Sequence, residues 1–91
     1  MKITVTYFAR PGRREEFLHR VVTAGILSAI REEDGCLRYD YYLSCQNEEE
    51  ILLLEEWESE AHQRLHMEQE HMKRLRDIKN DCIAETRVQK D

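Results

Sequence analysis

A chain of 91 residues and 11.0 kDa has room for a single domain, residues 1–91, with a core small enough that burial against a partner would help to hold it. Its net charge of -5 and pI near 5.4 argue against a nucleic-acid partner, which needs a basic face, and 41% hydrophobic residues are too many for a disordered chain. No apolar run reaches the length of a membrane span, and the first residues, MKITVTYFARPGRREEF, alternate instead of forming the apolar block of a signal peptide.

Lys2 to Phe8 (KITVTYF) alternates and is β-branched, which predicts a strand with Ile3, Val5 and Tyr7 on one face. Arg10-Pro11-Gly12 ends it, and proline suits the first turn of the helix expected to run to about Glu33. Phe17, Leu18, Val21, Val22, Leu27 and Ile30 recur at helical spacing along it. Gly25 falls inside this helix, where a close crossing over another backbone would explain it, as would chance. Asp34-Gly35 closes the helix through a left-handed turn. Cys36 to Ser44 is a second strand, with Leu37, Tyr39, Tyr41 and Leu43 sharing a face. After the Gln46-Asn47-Glu48 turn, Ile51 to Glu58 is a third strand, paired with the second as a hairpin. Ser59 caps a second helix that carries Ala61, Leu65, Met72, Leu75 and Ile78 and ends near Asn80. Cys82 to Gln89 is a fourth strand. The order β-α-β-β-α-β predicts an α+β, ferredoxin-like fold with a four-stranded antiparallel sheet.

The third strand is apolar on both faces at its start. Ile51, Leu53, Glu55 and Trp57 point one way, and Leu52, Leu54, Glu56 and Glu58 the other. Two helices can cover only one face, so either Leu52 and Leu54 or Ile51 and Leu53 would meet water. A sheet-on-sheet homodimer would cover both sets, each buried leucine contributing about 1.5–3 kcal/mol.

Candidates for chemistry are few. Glu55 and Trp57 share a strand face, where an indole plane and a desolvated carboxylate could wall a pocket for a flat ligand; a tryptophan filling the core and a solvated glutamate fit the same spacing. The second helix holds His62, His66 and His71. His62 and His66 have the i,i+4 spacing of metal ligands, but nothing completes a site, so no metal is expected, and His62 reads as a solvated helix face. A buried imidazole titrates near neutrality and suits proton transfer. His19 reads as surface. No GxGxxG, GxxxxGK[ST], GxSxG or HExxH occurs. Cys36, Cys45 and Cys82 form no CxxC, which argues for free thiols and a reducing cytoplasm.

The runs GCLRYDYY (Gly35 to Tyr42), ILLLEEWESEA (Ile51 to Ala61) and HMEQEHM (His66 to Met72), with PGRREEF before them, resemble the antibiotic biosynthesis monooxygenase family, a dimeric α+β barrel group with quinol monooxygenase-like members. The resemblance implies an enzyme that oxidises a small aromatic quinol or phenol with O2 and uses no metal, flavin or haem. It also implies a homodimer with a pocket between sheet and helices. Carried over by position, Glu55 and Trp57 match the family's E-x-W, and His66 and His71 its H-x4-H. The expected roles are His71 or His66 as base, Trp57 as stacking wall and donor, and Glu55 as orienter. Leu53, Tyr39 and Leu65 are expected to line the pocket. Haem-degrading relatives use an Asn, which the first strand lacks, since Thr4, Thr6 and Phe8 occupy it. Other relatives isomerise small phosphorylated signalling sugars. Such a substrate would want a basic pocket, which Arg38 or Arg87 could supply. A non-catalytic dimeric ligand-binding or stress-response module is a third possibility, and it predicts a collapsed pocket.

Overall fold

The computed structural model describes all 91 residues. Its elements are β1 (Lys2–Ala9), α1 (Arg14–Thr23), α2 (Ile26–Arg31), β2 (Cys36–Leu43), β3 (Glu50–Trp57), α3 (Glu60–Met67), α4 (Glu70–Cys82) and β4 (Ile83–Lys90). The strands form one antiparallel sheet in the order β2-β3-β1-β4, the ferredoxin-like α+β arrangement that the element order predicts. No helix is long and apolar enough to cross a membrane.

Register explains which face is the core. Val5 of β1 lies opposite Leu53 of β3 on one side and Val88 of β4 on the other. Because side chains alternate, Ile3, Val5 and Tyr7 share a face with Ile51, Leu53, Glu55 and Trp57. That face meets the helices, and all seven are buried. From the helices, Phe17, Val21, Ile26, Ile30, Met72, Leu75 and Ile78 close over it. Phe17 seats its ring between Tyr7 and Tyr41, at centroid distances of 5.5 and 6.0 Å. Leu52 and Leu54 lie on the outer face and are only half-buried.

Both long helices expected from the sequence are broken, and each break matters to the site. The first breaks at Ala24-Gly25, where Gly25 takes φ 75°. A Cβ there would meet nothing within 4 Å, so the glycine answers to this left-handed turn, and the close backbone crossing is excluded. The turn swings Ile26 into the core and leaves Val22 exposed, reversing what an unbroken helical stripe predicts. The second breaks at Gln69, which is extended at φ -68°, ψ 148°. In β2, pairing with β3 slips between Cys36 and Arg38. The bulge releases Leu37 from the face it was expected to share with Tyr39 and Tyr41, and its side chain is exposed.

Edge strand β4 is exposed along its length except at Ile83. Thr86 and Val88 pair with Tyr7 and Val5, so they lie on the helix side of the sheet. The helices leave them uncovered, and a recess opens between α4 and this edge.

Candidate functional site

The recess is a cavity of about 410 Å³, within the roughly 300–1,000 Å³ typical of small-molecule sites. Ile3, Val5 and Tyr7 of β1 floor it, and Met72 and Leu75 of α4 roof it. Tyr39, Glu55 and His66 stand at one end, and Arg76, Lys79 and Lys90 also reach the lining.

His66 is the best-positioned group. It is 1% exposed, and its ring lies 4.5 Å from that of Trp57 at an interplanar angle of 34°. Its Nδ1 is 2.8 Å from Glu33 Oε2, and His71 Nε2 is 2.7 Å from the same oxygen. A carboxylate only accepts, so both imidazoles donate an N–H to it. That bond fixes the tautomer of a neutral His66, with the proton on Nδ1 and the lone pair on Nε2. The break at Gln69 makes the double contact possible. In a continuous helix, five residues would set the two histidines about 140° apart. Ending α3 and restarting at Glu70 turns both rings onto one carboxylate. Glu33 itself follows the last turn of α2.

Glu55 has a different partner. Its Oε1 accepts from Trp57 Nε1 at 3.1 Å, and burial pushes its carboxyl above the ordinary range while the indole N–H holds it back. Trp57 is fully buried, with its only N–H already engaged, so it backs His66 and does not stack on a ligand or donate to one. Glu55 steadies Trp57; the carboxylate that orients the histidines is Glu33.

The other expected residues divide. Tyr39 lines the cavity. Leu53 is fully buried beneath the sheet face and belongs to the core, away from the lining. Leu65 is 58% exposed and points off α3 to solvent; Gln63 and Met67 of the same helix reach the cavity instead. His71 touches Glu33 without joining the lining. His62 is not a solvated face residue. Its Nδ1 pairs with Ser59 Oγ at 2.7 Å, and its ring packs beneath Gly35. Arg38 and Arg87 are both on the outer face, held by Asp40 and Glu85, so neither can serve an anion in the cavity.

Two groups of side chains bring possible metal-ligand atoms within 4.8 Å of one another: Glu33, His66 and His71, and the more exposed Asp34, Glu58 and His62. In the first, direct hydrogen bonds already join the atoms, and a cation would have to displace both imidazole protons. The three cysteines are unpaired. Tyr7 and Tyr39 have phenols pushed well above their ordinary range, first by burial and then by neighbouring Tyr41, so they remain protonated and can donate.

Glu33 was not legible as a site residue. Its one signal was electrostatic: Glu32, Glu33 and Asp34 crowd the C-terminal end of a helix, where the dipole favours cations.

Comparison with known proteins bears on the family and the fold. A protein of Pseudomonas aeruginosa superposes with a TM-score of 0.84 at 25% identity, covering 97% of this chain and 87% of that one. A conserved protein of Methanosarcina mazei gives 0.82 at 25% identity, covering 97% and 86%. A structure described as an antibiotic biosynthesis monooxygenase gives 0.83 at 24% identity, covering 97% and 92%. No curated protein matches the sequence. The family model for antibiotic biosynthesis monooxygenases matches residues 1–77, which takes in β1 through most of α4, and the chain belongs to that family.

Proposed function

We propose that the protein is a cofactor-independent monooxygenase that oxidises a small aromatic phenol or quinol with O2, and that His66 is its base. The observation that carries this reading is the Glu33–His66 hydrogen bond beside an open cavity of about 410 Å³. The bond leaves Nε2 as the basic nitrogen of a ring that lines the cavity, and the buried carboxylate stabilises the imidazolium formed on proton transfer. An open cavity also favours an enzyme over a non-catalytic module with a collapsed pocket.

The chemistry asks little of the protein, because the substrate supplies the electrons. Nε2 takes the phenolic proton. The resulting anion passes one electron to O2, and the radical pair couples to form a C–O bond at an ortho or para ring carbon that bears hydrogen. The peroxide then loses that carbon's proton and its terminal oxygen, giving a quinone and one water, with His66 returning its proton to the departing oxygen. The phenol of Tyr7, which lines the cavity, would donate to the developing oxyanion. His71, donating to the same Glu33 oxygen, keeps that carboxylate from turning away.

We further infer that the active form is a homodimer joined through the outer sheet face, where Leu52 and Leu54 remain half-exposed. The test of function is oxygen uptake, with quinone analysis, on naphthols and naphthoquinols by metal-free protein. His66→Ala should lower the rate about 10²- to 10⁴-fold with the fold intact. Equal rates in wild type and His66→Ala would refute the assignment.

A further inference from the structure

The distribution of charge identifies what the substrate carries. The chain has 14 Lys and Arg against 19 Asp and Glu, so acids are in surplus. Nine of the basic side chains sit in ion pairs: Lys2, Lys73, Arg13, Arg14, Arg20, Arg31, Arg38, Arg64 and Arg87. Of the five that do not, Arg10 and Arg74 donate to backbone carbonyls. The remaining three, Arg76, Lys79 and Lys90, have no anionic partner, and all three line the one cavity that also contains His66. In an acidic protein, unpaired cations gathered at one recess call for an anion that the chain itself does not supply.

Lys79 is the most constrained of them. It lies one turn from Arg76 on α4, and its Nζ sits 5.0 Å from the centre of the Tyr7 ring. Burial and the neighbouring Arg76 both weigh against its charge, and Glu55 favours it. Glu55 is the only acid in the lining, and its carboxylate is engaged by Trp57. An incoming anion would relieve the repulsion between Lys79 and Arg76. Ile3 and Val5 of the floor and Met72 of the roof offer no hydrogen bond to hydroxyl groups and suit a flat hydrocarbon body.

We infer that the cavity takes an aromatic acid, with its ring system on the β1 floor and its carboxylate held by Arg76 and Lys79. This rests on the proposed oxygenation and adds to it the substrate's anionic head group. The test uses two isosteric probes without an oxidisable hydroxyl, 2-naphthoate and 2-naphthamide, with ribose 5-phosphate as a third ligand, in titration calorimetry on the wild-type chain. The naphthoate should bind about tenfold more tightly than the amide, the effect of one charge-assisted contact. Arg76→Gln and Lys79→Gln should each erase that preference and leave the amide's affinity unchanged, and Arg87→Gln on the outer face should preserve it. Neither cavity variant loses an ion pair, and cooperative thermal unfolding should show both folded. Equal affinities for the two naphthalenes, no binding of the naphthoate at millimolar concentration, or tighter binding of ribose 5-phosphate would each overturn the inference. Because neither naphthalene can react, a naphthoate preference without oxygen uptake would refute only the proposed reaction. Oxygenation of neutral quinols without that preference would refute only the head group.

Discussion

Glu33 and His66 are 33 positions apart in the chain, and their side chains meet at 2.8 Å. The contact joins the end of α2 to the end of α3 and sets the protonation pattern of the imidazole that faces the cavity. Replacing Glu33 with Gln keeps the shape but removes the charge, and the amide can present N–H to the ring. The tautomer then becomes mixed and the imidazolium loses its counter-charge. Glu33→Gln should lower kcat for oxygen uptake about 10²-fold or more with little change in KM. A selective rise in KM would show instead that Glu33 acts on binding.

Glu55 provides a pH-dependent signature. Its folded-state pKa is raised, chiefly by burial, so the native state holds this proton more tightly than the unfolded chain does. Stability from this group is therefore greatest below the carboxyl's ordinary range and falls as pH rises towards the folded-state value. Glu55→Gln, whose amide oxygen can still accept from Trp57, should raise Tm at neutral pH by a few degrees and flatten the loss as pH rises above the carboxyl's ordinary range. Thermal denaturation followed by circular dichroism from that range up to neutral pH checks this. A lower Tm at pH 7 would mean that the ionised carboxylate stabilises the fold.

Gly35 and His62 are coupled sterically. Gly35 has φ 83°, and a Cβ on it would lie 2.4 Å from the His62 ring. Gly35→Ala should therefore cost more than the about 1–2 kcal/mol of a left-handed alanine. In His62→Ala/Gly35→Ala the excess should vanish, a non-additivity of at least about 0.5 kcal/mol in urea denaturation. Strict additivity would rule out the clash.

Leu65 and Leu75 are both leucines of the helical hairpin, with opposite fates. Leu75 is 1% exposed and roofs the cavity, so Leu75→Ala should cost about 2–5 kcal/mol. Leu65→Ala should stay within about 0.5 kcal/mol of wild type and leave binding of the naphthoate unchanged. A measurable loss of affinity in Leu65→Ala would return that residue to the pocket.

Leu54 tests the assembly. Placing a charge at its centre-strand position on the outer face should dissociate a sheet-to-sheet dimer. Light scattering should give twice the 11.0 kDa chain mass for wild type and the single mass for Leu54→Arg. A wild-type monomer would remove the dimer from the proposal.

The sequence by itself determined the elements and their faces. Alternation grouped Ile3, Val5 and Tyr7 on one side of β1 and Ile51, Leu53 and Trp57 on one side of β3, because a strand has only two sides; which side of β3 meets the helices was decided by the register of the pairs. The β-α-β-β-α-β order did the rest of the fold, leaving a ferredoxin-like sheet as its natural closure. Single residues that interrupt periodicity were harder to read. Gly25 and Gln69 break helices whose composition predicts continuity, and the Leu37 bulge shifts one side chain to solvent. Each interruption depends on contacts made elsewhere in the chain, which local propensity does not contain. The site carries the same division. His66, His71 and Glu55 could be picked out by residue type and spacing, and Tyr39 through the family resemblance. That Glu33 orients the histidines, that Trp57 is sealed behind one of them, and that Arg76 and Lys79 are left without partners were decided only in three dimensions. A hydrogen bond or a missing ion pair is a relation between distant positions, set by where the helices stop and turn.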